Sequence, residues 1–480
     1  MKELAQRACE VMAGRGVAYG DVRVREDRHE TIAVKNGRPE QVTADRSAGF
    51  GVRVLVDGAW GFFASHRLEA GAVEAVVGEA VKIARASARL RGEAVHLAPV
   101  APARAQYETP TAKDPFAVPL EEKLALLESA SRAMKGPNVK LAEAFSAAYE
   151  MRQAFASTEG ARIEQRIVQT GGGIAATAIG DGDLQVRSYP NSFRGNFATG
   201  GWEYVEAMNL AGEAPRVAEE AEALLAAPPC PEGKRTIVLE GGQLALQVHE
   251  SCGHPIELDR VLGMELSYAG DSFLTTDKLG TFRYGSEQVT IAADATVPGG
   301  LGTFGFDDEG VPAQRTPIVE AGIFVGYLTS RETAPAIGRT SSGAMRASGW
   351  NRIPLIRMTN VNLEPGAAGR LEDLVADTDD GLLMMTNKSW SIDQKRLNFQ
   401  FGVEMCREIR GGRLGQMYKN ANYTGLTPEF WASCDAVCSA GAWRLWGTPN
   451  CGKGEPGQTA RVGHGVAPAR FRNVRVGVKA

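Results

Sequence analysis

The fold class is indicated by a stretch near the N-terminus, GFGVRVLVDGAWGFFA at residues 49–64. Its two apolar runs, 49–56 and 60–64, flank the pair Asp57-Gly58. Asp-Gly favours the positive φ angles of a tight two-residue turn, so this stretch predicts a β-hairpin. A second turn signal, Asn36-Gly37, follows the apolar run at 31–34. The first part of the chain is therefore expected to form an antiparallel sheet.

Helices are predicted around this sheet by the spacing of apolar side chains. The spacing is helical up to about Gly14, over 68–91, over 120–134 and over about 215–226. Between the helices predicted at 120–134 and about 215–226, residues 139–189 show short runs in which apolar and polar residues alternate, interrupted by glycine. That pattern predicts a meander of short antiparallel strands.

The chain is expected to divide at a proline cluster, PPCPEG at residues 228–233. Beyond it we predict a strand at 236–240, a helix at about 243–253, and then mostly strands, with helical turns at 371–376 and 428–437. Strands and helices do not alternate regularly, which argues against a doubly wound parallel sheet. We predict an α+β fold of two domains. Residues 1–228 form an antiparallel sheet with helices, and 229–480 form a mostly-β domain with one metal-binding helix.

Composition and charge exclude several classes of protein. Of 480 residues, 44% are hydrophobic, and 53 Lys+Arg face 57 Asp+Glu. A disordered chain is less apolar, and a nucleic-acid binder is usually basic, so we expect no nucleic-acid partner. No signal peptide and no apolar run long enough for a membrane span is recognisable. The seven cysteines are scattered, unlike a secreted disulfide framework. We therefore expect a cytoplasmic protein with reduced thiols.

The motif with the clearest chemistry is His249-Glu250-Ser251-Cys252-Gly253-His254, an H-E-x-x-x-H pattern. Two neighbouring imidazoles are ligands that Zn²⁺ prefers, and the carboxylate after the first can act as a general base. In an α-helix, residues five apart lie about 140° apart around the axis, against about 40° for residues four apart. Both histidines can meet one metal only if the helix widens or ends. Gly253 and Pro255 favour such a change.

A catalytic metal site needs a third protein ligand. The candidates by residue type are Cys252, Glu257, Asp259, Cys434, Cys438, Cys451 and His464. Cys451 ranks first because it lies in a Pro/Gly loop two residues from Lys453, a setting that favours a thiolate. Cys252, Cys434 and Cys438 are better explained as core residues, and His464 remains a spare ligand. The acidic run at 306–309 is interpreted as a solvated turn.

The motif and several further segments resemble the TldD/PmbA family of metalloproteases. The motif continues as Pro255-Ile256-Glu257, where Pro255 departs from the glycine of the family. Similar blocks lie at 49–53, 60–62, 306–310, 357–360, 391–393, 398–402 and 449–453. The resemblance implies metal ligands at His249, His254 and Cys451, with Glu250 as the base. It also implies a dimer enclosing a cavity and the cleavage of unfolded or short peptides bound as extended strands.

These observations predict a metallopeptidase with one divalent metal per active subunit, zinc in the first place and iron as the alternative. The resemblance implies that the partner is another copy of the chain or a PmbA-type (TldE) subunit; subunits of that type lack the histidines. The competing hypothesis is a non-catalytic peptide-binding or processing-partner subunit with a structural metal; the presence of Glu250 favours the enzyme. The donor that stabilises the oxyanion stays open; Arg339, Arg346, Arg352 and Tyr327 are among the candidates.

Overall fold

The predicted α+β fold is confirmed by a computed structural model of the chain. The structure describes residues 1–90, 92–192, 195–268 and 270–477. The end of the helix predicted over 68–91 therefore falls at Arg91, outside the described residues. Among the described helices, none is both long enough and apolar enough to cross a membrane. The division at 228/229 into two domains stays a prediction.

The first part of the chain forms an eight-stranded sheet in the order β3-β2-β1-β5-β6-β4, with β7 and β8 also paired to β6. Its strands are β1 (Tyr19–Lys35), β2 (Arg38–Val56), β3 (Ala59–Ser65), β4 (Arg104–Glu108), β5 (Val139–Ser157), β6 (Arg162–Gly180), β7 (Asp183–Tyr189) and β8 (Asn196–Thr199). All pairings are antiparallel except that of β4 with β6. Both predicted hairpin turns are confirmed, since Asn36-Gly37 and Asp57-Gly58 have positive φ angles.

Helices cover this sheet in two groups. They are α1 (Lys2–Gly14), α2 (Ala70–Ala88), α3 (Leu120–Ala133), α4 (Glu203–Ala207) and α5 (Leu210–Ala226). The first two pack valine and alanine side chains against β1, β2 and β5. α3 and α5 pack against β1, β5 and β6 in a separate apolar cluster. Burial of these amphipathic faces stabilises the helices on the sheet.

Two details of the first part differ from the prediction. The meander strands are long rather than short, with 19 residues each in β5 and β6. Gly171 lies inside β6 instead of in a turn, and a side chain there would stand 2.3 Å from the carbonyl oxygen of Asn196. The helix predicted to begin at Pro215 begins at Leu210, with Pro215 inside its second turn.

The second part of the chain is mostly β, as predicted. Its strands are β9 (Gly233–Leu239), β10 (Ile291–Asp294), β11 (Arg315–Glu320), β12 (Ile323–Phe324), β13 (Met345–Arg346), β14 (Leu355–Ile356), β15 (Val361–Leu363), β16 (Asp380–Ile392), β17 (Asn398–Arg410), β18 (Arg413–Tyr418), β19 (Asn422–Leu426), β20 (Cys434–Val437), β21 (Arg444–Lys453), β22 (Gln458–Val466) and β23 (Ala469–Val476). The largest sheet of this second part has the order β16-β9-β23-β19-β17-β18, and β16 also pairs with β17.

Short helices interrupt these strands. They are α6 (Gly241–Val248), a π-helix (His249–Gly253), α7 (Leu258–Val261), α8 (Leu371–Ala376), α9 (Thr427–Ala432) and three 3₁₀ turns (Thr276–Lys278, Ala334–Ile337 and Ala440–Ala442). The helical turn at 371–376 is confirmed. The one predicted at 428–437 gives way to β20 after Ala432. α6 packs between β16 and the hairpin of β21 and β22, which places the motif beside the cysteine loop.

The acidic run at 306–309 is buried, which contradicts the solvated turn expected from its charge. Asp307, Asp308 and Glu309 are all less than 7% exposed. Glu309 pairs with Arg53 of β2 at 3.3 Å, and Asp308 pairs with Arg23 of β1 at 3.5 Å. The carboxylates therefore join the second part of the chain to the N-terminal sheet, a contact that sequence-local reasoning does not reveal.

Candidate metal centre

The helix that carries the motif widens at the two histidines, as their spacing predicts. Glu240 caps the start of α6 by accepting a hydrogen bond from the Gly242 amide at 3.0 Å. At His249 the α-helix becomes a π-helix, in which the His254 amide donates to the His249 carbonyl at 3.2 Å. The widened turn brings the two imidazole ring centres to 5.0 Å. The π-helical turn thus places two residues that are five apart in sequence on the same side of the helix.

The close packing at this turn requires a glycine at position 253. A Cβ atom there would stand 2.2 Å from the sulfur of Met358, which is fully buried. Methionine can move, but in a closely packed interior the shift has to be passed on to its neighbours. The glycine therefore lets the widened turn lie against the segment around Met358.

Cys451 joins the two histidines from a distant part of the chain. It lies in β21, opposite Ala460 of β22. The candidate ligand atoms of His249, His254 and Cys451 all lie within 4.8 Å of one another, and all three residues are buried. The Cys451 sulfur is 3.7 Å from Nε2 of His254. Two imidazole nitrogens and one sulfur form a donor set suited to Zn²⁺ and leave a position open for substrate or water, so these residues fit a catalytic metal.

Hydrogen bonds orient the ring of His249. Nδ1 of His464 contacts the Val361 carbonyl at 3.1 Å, so this nitrogen carries the proton. Nε2 of His464 is then an acceptor, and Nδ1 of His249 donates to it at 2.8 Å. His249 keeps its lone pair on Nε2, the atom available to a metal. Both nitrogens of His464 are engaged, so His464 is not the spare ligand that the sequence left open.

His254 is oriented in the same way by a carboxylate. Its Nδ1 lies 3.1 Å from Oε2 of Glu257, which leaves Nε2 facing Cys451. The other carboxylate oxygen of Glu257 accepts from the Met358 amide at 3.1 Å. A carboxylate behind a histidine is a common support for metal ligands, because it sets the tautomer and raises the basicity of the ring. Glu257 therefore supports a candidate ligand instead of being one.

The protonation states of the three candidate ligands suit a metal. Burial lowers the pKa of His249 and holds that of His254 well below its usual range, so both imidazoles are neutral. Burial alone would raise the pKa of Cys451, but the contact with His254 and the charge of Arg357 lower it overall. Arg357 also donates to the Cys451 carbonyl at 2.6 Å. Neutral imidazoles and a thiolate are the forms that bind metals.

A buried cluster of charges stands behind Glu257. Lys453, fully buried, lies 3.3 Å from Glu257 and 2.7 Å from Asp259. Burial alone would lower the pKa of Lys453, but attraction to Asp259, Glu257 and Glu265 raises it, so the ammonium stays charged. Asp259, one of the candidate ligands by residue type, is thereby held by a lysine two residues after Cys451.

Glu250 contacts a residue that the sequence did not single out. Nη1 of Arg396 forms an ion pair with Oε2 of Glu250, and both side chains are largely buried. Arg396 lies in the turn between β16 and β17 and has a φ angle of 64°. The two residues are 146 positions apart, so no local pattern could have joined them.

The remaining candidates lie outside the group. Cys252, Cys434 and Cys438 belong to the apolar core, and burial raises the pKa of Cys252 and Cys434 to about 12 and that of Cys438 to about 11. Of the four oxyanion candidates, Arg339 and Arg352 are exposed, and the Tyr327 hydroxyl donates to the Leu274 carbonyl at 2.7 Å. Arg346 alone binds a backbone carbonyl beside the site, that of Met358.

Comparison with known proteins gives matches along most of the chain. Three family models match: PmbA/TldA metallopeptidase domain 1 at residues 20–84, the central domain at 113–226 and the C-terminal domain at 232–478. A metalloprotease of Methanocaldococcus jannaschii is 32% identical and covers 93% of this chain and 94% of its own length. A metalloprotease TldD homolog of Haemophilus influenzae is 25% identical over 98% of this chain and 94% of its own length.

Solved structures share the fold at lower sequence identity. A crystal structure from Thermotoga maritima matches with a TM-score of 0.78 and 20% identity, covering 99% of each chain. The crystal structure of TldE from Thermococcus kodakarensis matches with a TM-score of 0.73 and 16% identity over the full length of both chains. The architecture described above is therefore one that other proteins also adopt.

Proposed function

This chain belongs to the PmbA/TldD family of metallopeptidases, and from that premise we propose that it hydrolyses unfolded or short peptides with a divalent metal held by His249, His254 and Cys451. Zinc is the metal we expect, with iron as the alternative. The observation that carries the proposal is the convergence of three buried candidate ligand atoms within 4.8 Å, directly beside Glu250.

The chain's own residues divide the work as follows. Nε2 of His249, Nε2 of His254 and the Cys451 thiolate would hold the metal, while His464 and Glu257 fix the two rings through Nδ1. A divalent metal supplies Lewis-acid chemistry, lowering the pKa of a coordinated water and polarising the scissile carbonyl. Glu250 accepts a proton from the attacking water and delivers it to the leaving amine.

The expected assembly follows from the resemblance, and the expected location follows from sequence features such as the scattered cysteines. We expect a cytoplasmic protein that acts as a homodimer or as a heterodimer with a PmbA-type (TldE) subunit. The match to a TldE structure supports the same fold for such a partner. Light scattering of the purified chain, alone and mixed with such a subunit, separates the two forms.

The proposal is tested by metal analysis combined with peptide cleavage. Glu250→Ala should bind metal as the parent does and lose about 10²- to 10⁴-fold in turnover, because only the base is removed. Cys451→Ser should lose metal. Glu287→Ala, an exposed glutamate elsewhere, serves as the control and should match the parent.

Two outcomes would count against the enzyme. If Glu250→Ala turned over peptide at the parental rate, Glu250 would not be the general base. A parent that retains metal and cleaves none of a set of unfolded peptides would instead favour the peptide-binding subunit with a structural metal.

A further inference from the structure

A cavity of about 100 Å³, lined by both polar and apolar side chains, lies between the N-terminal sheet and the second part of the chain. Strands β5 and β6 contribute Gln153, Gln165 and Gln169 to its wall, and the opposite wall includes Arg346 and Arg461. A neighbouring cavity shares Arg25, Arg461 and Ser348 with it, so the two are adjacent.

The carboxylates of this region are already paired. Asp27 lies 2.6 Å from Arg25, and Glu150 lies 2.6 Å from Arg166. Asp308 pairs with Arg23 and also accepts from Gln153 at 2.8 Å. The acidic groups along the cavity therefore have arginine partners of their own.

Arg346 and Arg461 have no such partner among the described carboxylates. Arg346 donates to the carbonyls of Arg461 and Met358, and its Nε has no hydrogen-bond partner. Arg461 donates through Nε to Gln169, and its guanidinium stands 4.5 Å from the centre of the Tyr149 ring. Burial, and then repulsion by Arg357 and Arg461, lowers the pKa of Arg346 to about 9. Asp308 attracts Arg346 and Asp27 attracts Arg461, but neither carboxylate forms an ion pair with these two arginines. Two like charges are thus held together in a partly enclosed space with no described carboxylate in direct contact.

The cavity adjoins the candidate metal centre. Ala460, which lines it, stands opposite Cys451 in the ladder of β21 and β22. Arg346 reaches the carbonyl of Met358, whose amide binds the carboxylate of Glu257 behind His254. The proposal requires a peptide with its scissile bond at the metal to extend into this cavity.

We propose that the cavity is a carboxylate subsite of the peptide substrate, with Arg346 and Arg461 as its cationic groups; this rests on the proposed function. The planar guanidinium matches a carboxylate through paired N–H donors, and burial strengthens the attraction. The carboxylate comes from the C-terminus of the peptide or from an acidic side chain.

The test measures binding without turnover. Three N-terminally labelled pentapeptides are titrated with zinc-loaded Glu250→Ala protein and followed by fluorescence anisotropy. One carries glutamine at its centre and a C-terminal amide. The second carries a free C-terminal carboxylate instead, and the third carries glutamate at its centre with the amide end. We expect one of the two carboxylate peptides to bind roughly 10- to 100-fold more tightly than the neutral one. The peptide that binds more tightly shows whether the carboxylate comes from the C-terminus or from an acidic side chain.

The same titrations are repeated in Arg461→Gln and Arg346→Gln, both in the Glu250→Ala background. Each should reduce the preference for the carboxylate to nearly onefold while leaving the neutral peptide unaffected. Arg413→Gln, at an exposed position of β18, should keep the full preference. Because Arg346 also holds two carbonyls, Arg461→Gln is the decisive variant if Arg346→Gln unfolds.

The outcomes separate this subsite from the proposed function. The subsite is overturned if no peptide binds, if the neutral peptide binds as well as both carboxylate peptides, or if the preference survives in Arg461→Gln. A protein that prefers the carboxylate, yet cleaves nothing when Glu250 is present, retains the subsite and overturns the peptidase. A protein that cleaves peptides but shows no preference for a carboxylate overturns the subsite and retains the peptidase.

Discussion

Nδ1 of His249 lies 2.8 Å from Nε2 of His464, a residue 215 positions further along the chain. His464 in turn donates to the carbonyl of Val361 from the other side of its ring. This chain of hydrogen bonds decides which nitrogen of His249 keeps a lone pair. The ligand atom of one histidine is thus selected by a second histidine that does not itself face the metal position.

The support from His464 predicts a change in metal affinity. His464→Phe should weaken zinc binding by roughly 10- to 100-fold, because His249 loses the acceptor that fixes its tautomer. Competition with a chromogenic chelator measures this directly. His66→Phe, at an exposed position, should bind zinc as the parent does. Equal affinity in His464→Phe and the parent would contradict the positioning role.

Arg396 should affect turnover without affecting the metal. Its ion pair with Glu250 holds the carboxylate of the proposed base in place. Arg396→Ala should lower kcat by about 10- to 100-fold through misplacement of that carboxylate, with KM and bound zinc unchanged. Arg396→Lys should restore part of the loss, and Lys395→Ala, the exposed neighbour, should be neutral. The role is refuted by an Arg396→Ala enzyme with parental kcat.

A methyl group at Gly253 should destabilise the protein. Its Cβ would stand 2.2 Å from the Met358 sulfur, so the π-turn or the methionine has to move. We expect Gly253→Ala to lower the free energy of unfolding by about 1–3 kcal/mol, as measured by urea titration. Gly452→Ala is the matched control next to Cys451, because a methyl there meets nothing within 4 Å. Equal stability of the two variants would argue against the packing account.

Lys453 should be important for stability because it is buried with opposite charges. Lys453→Met leaves Glu257 and Asp259 without their cation and should cost about 3–5 kcal/mol in urea unfolding. Adding Asp259→Asn should recover part of that loss by removing one unpaired charge. Lys82→Met, at an exposed ion pair, should change stability by no more than about 1 kcal/mol. A Lys453→Met protein as stable as the Lys82→Met protein would show that the buried pairs contribute little.

Removal of the metal should lower thermal stability as well as activity. A metal bound to His254 and Cys451, 197 positions apart, joins the π-helix to β21 only in the folded state. At a free zinc concentration about 1,000 times Kd, binding adds roughly 4 kcal/mol to the free energy of unfolding. Calorimetry should show the same fall in Tm after chelation in the parent and in Glu250→Ala. Cys451→Ser should show little response; a parent indifferent to chelation would exclude a metal that bridges these elements.

The features that the sequence predicted well depend on neighbouring residues. Asn36-Gly37 and Asp57-Gly58 turn where expected because those residues accept positive φ angles. The widened turn between His249 and His254 follows from their spacing and from Gly253. The α+β class likewise follows from local periodicity. The third candidate ligand was determined only in part locally: its loop ranked Cys451 first among several candidates, and the family resemblance singled it out.

Tertiary structure alone decided which distant groups face one another. The acidic run at 306–309 looks solvated in sequence, yet it is buried against Arg23 and Arg53 of the N-terminal sheet. His464 looked like a spare ligand, and Arg396 carried no signal at all. Side-chain type and spacing determine turns and helices because those depend on contacts between near neighbours. The pairing of His249 with His464 and of Glu250 with Arg396 arises only when strands distant in sequence pack against the same helix.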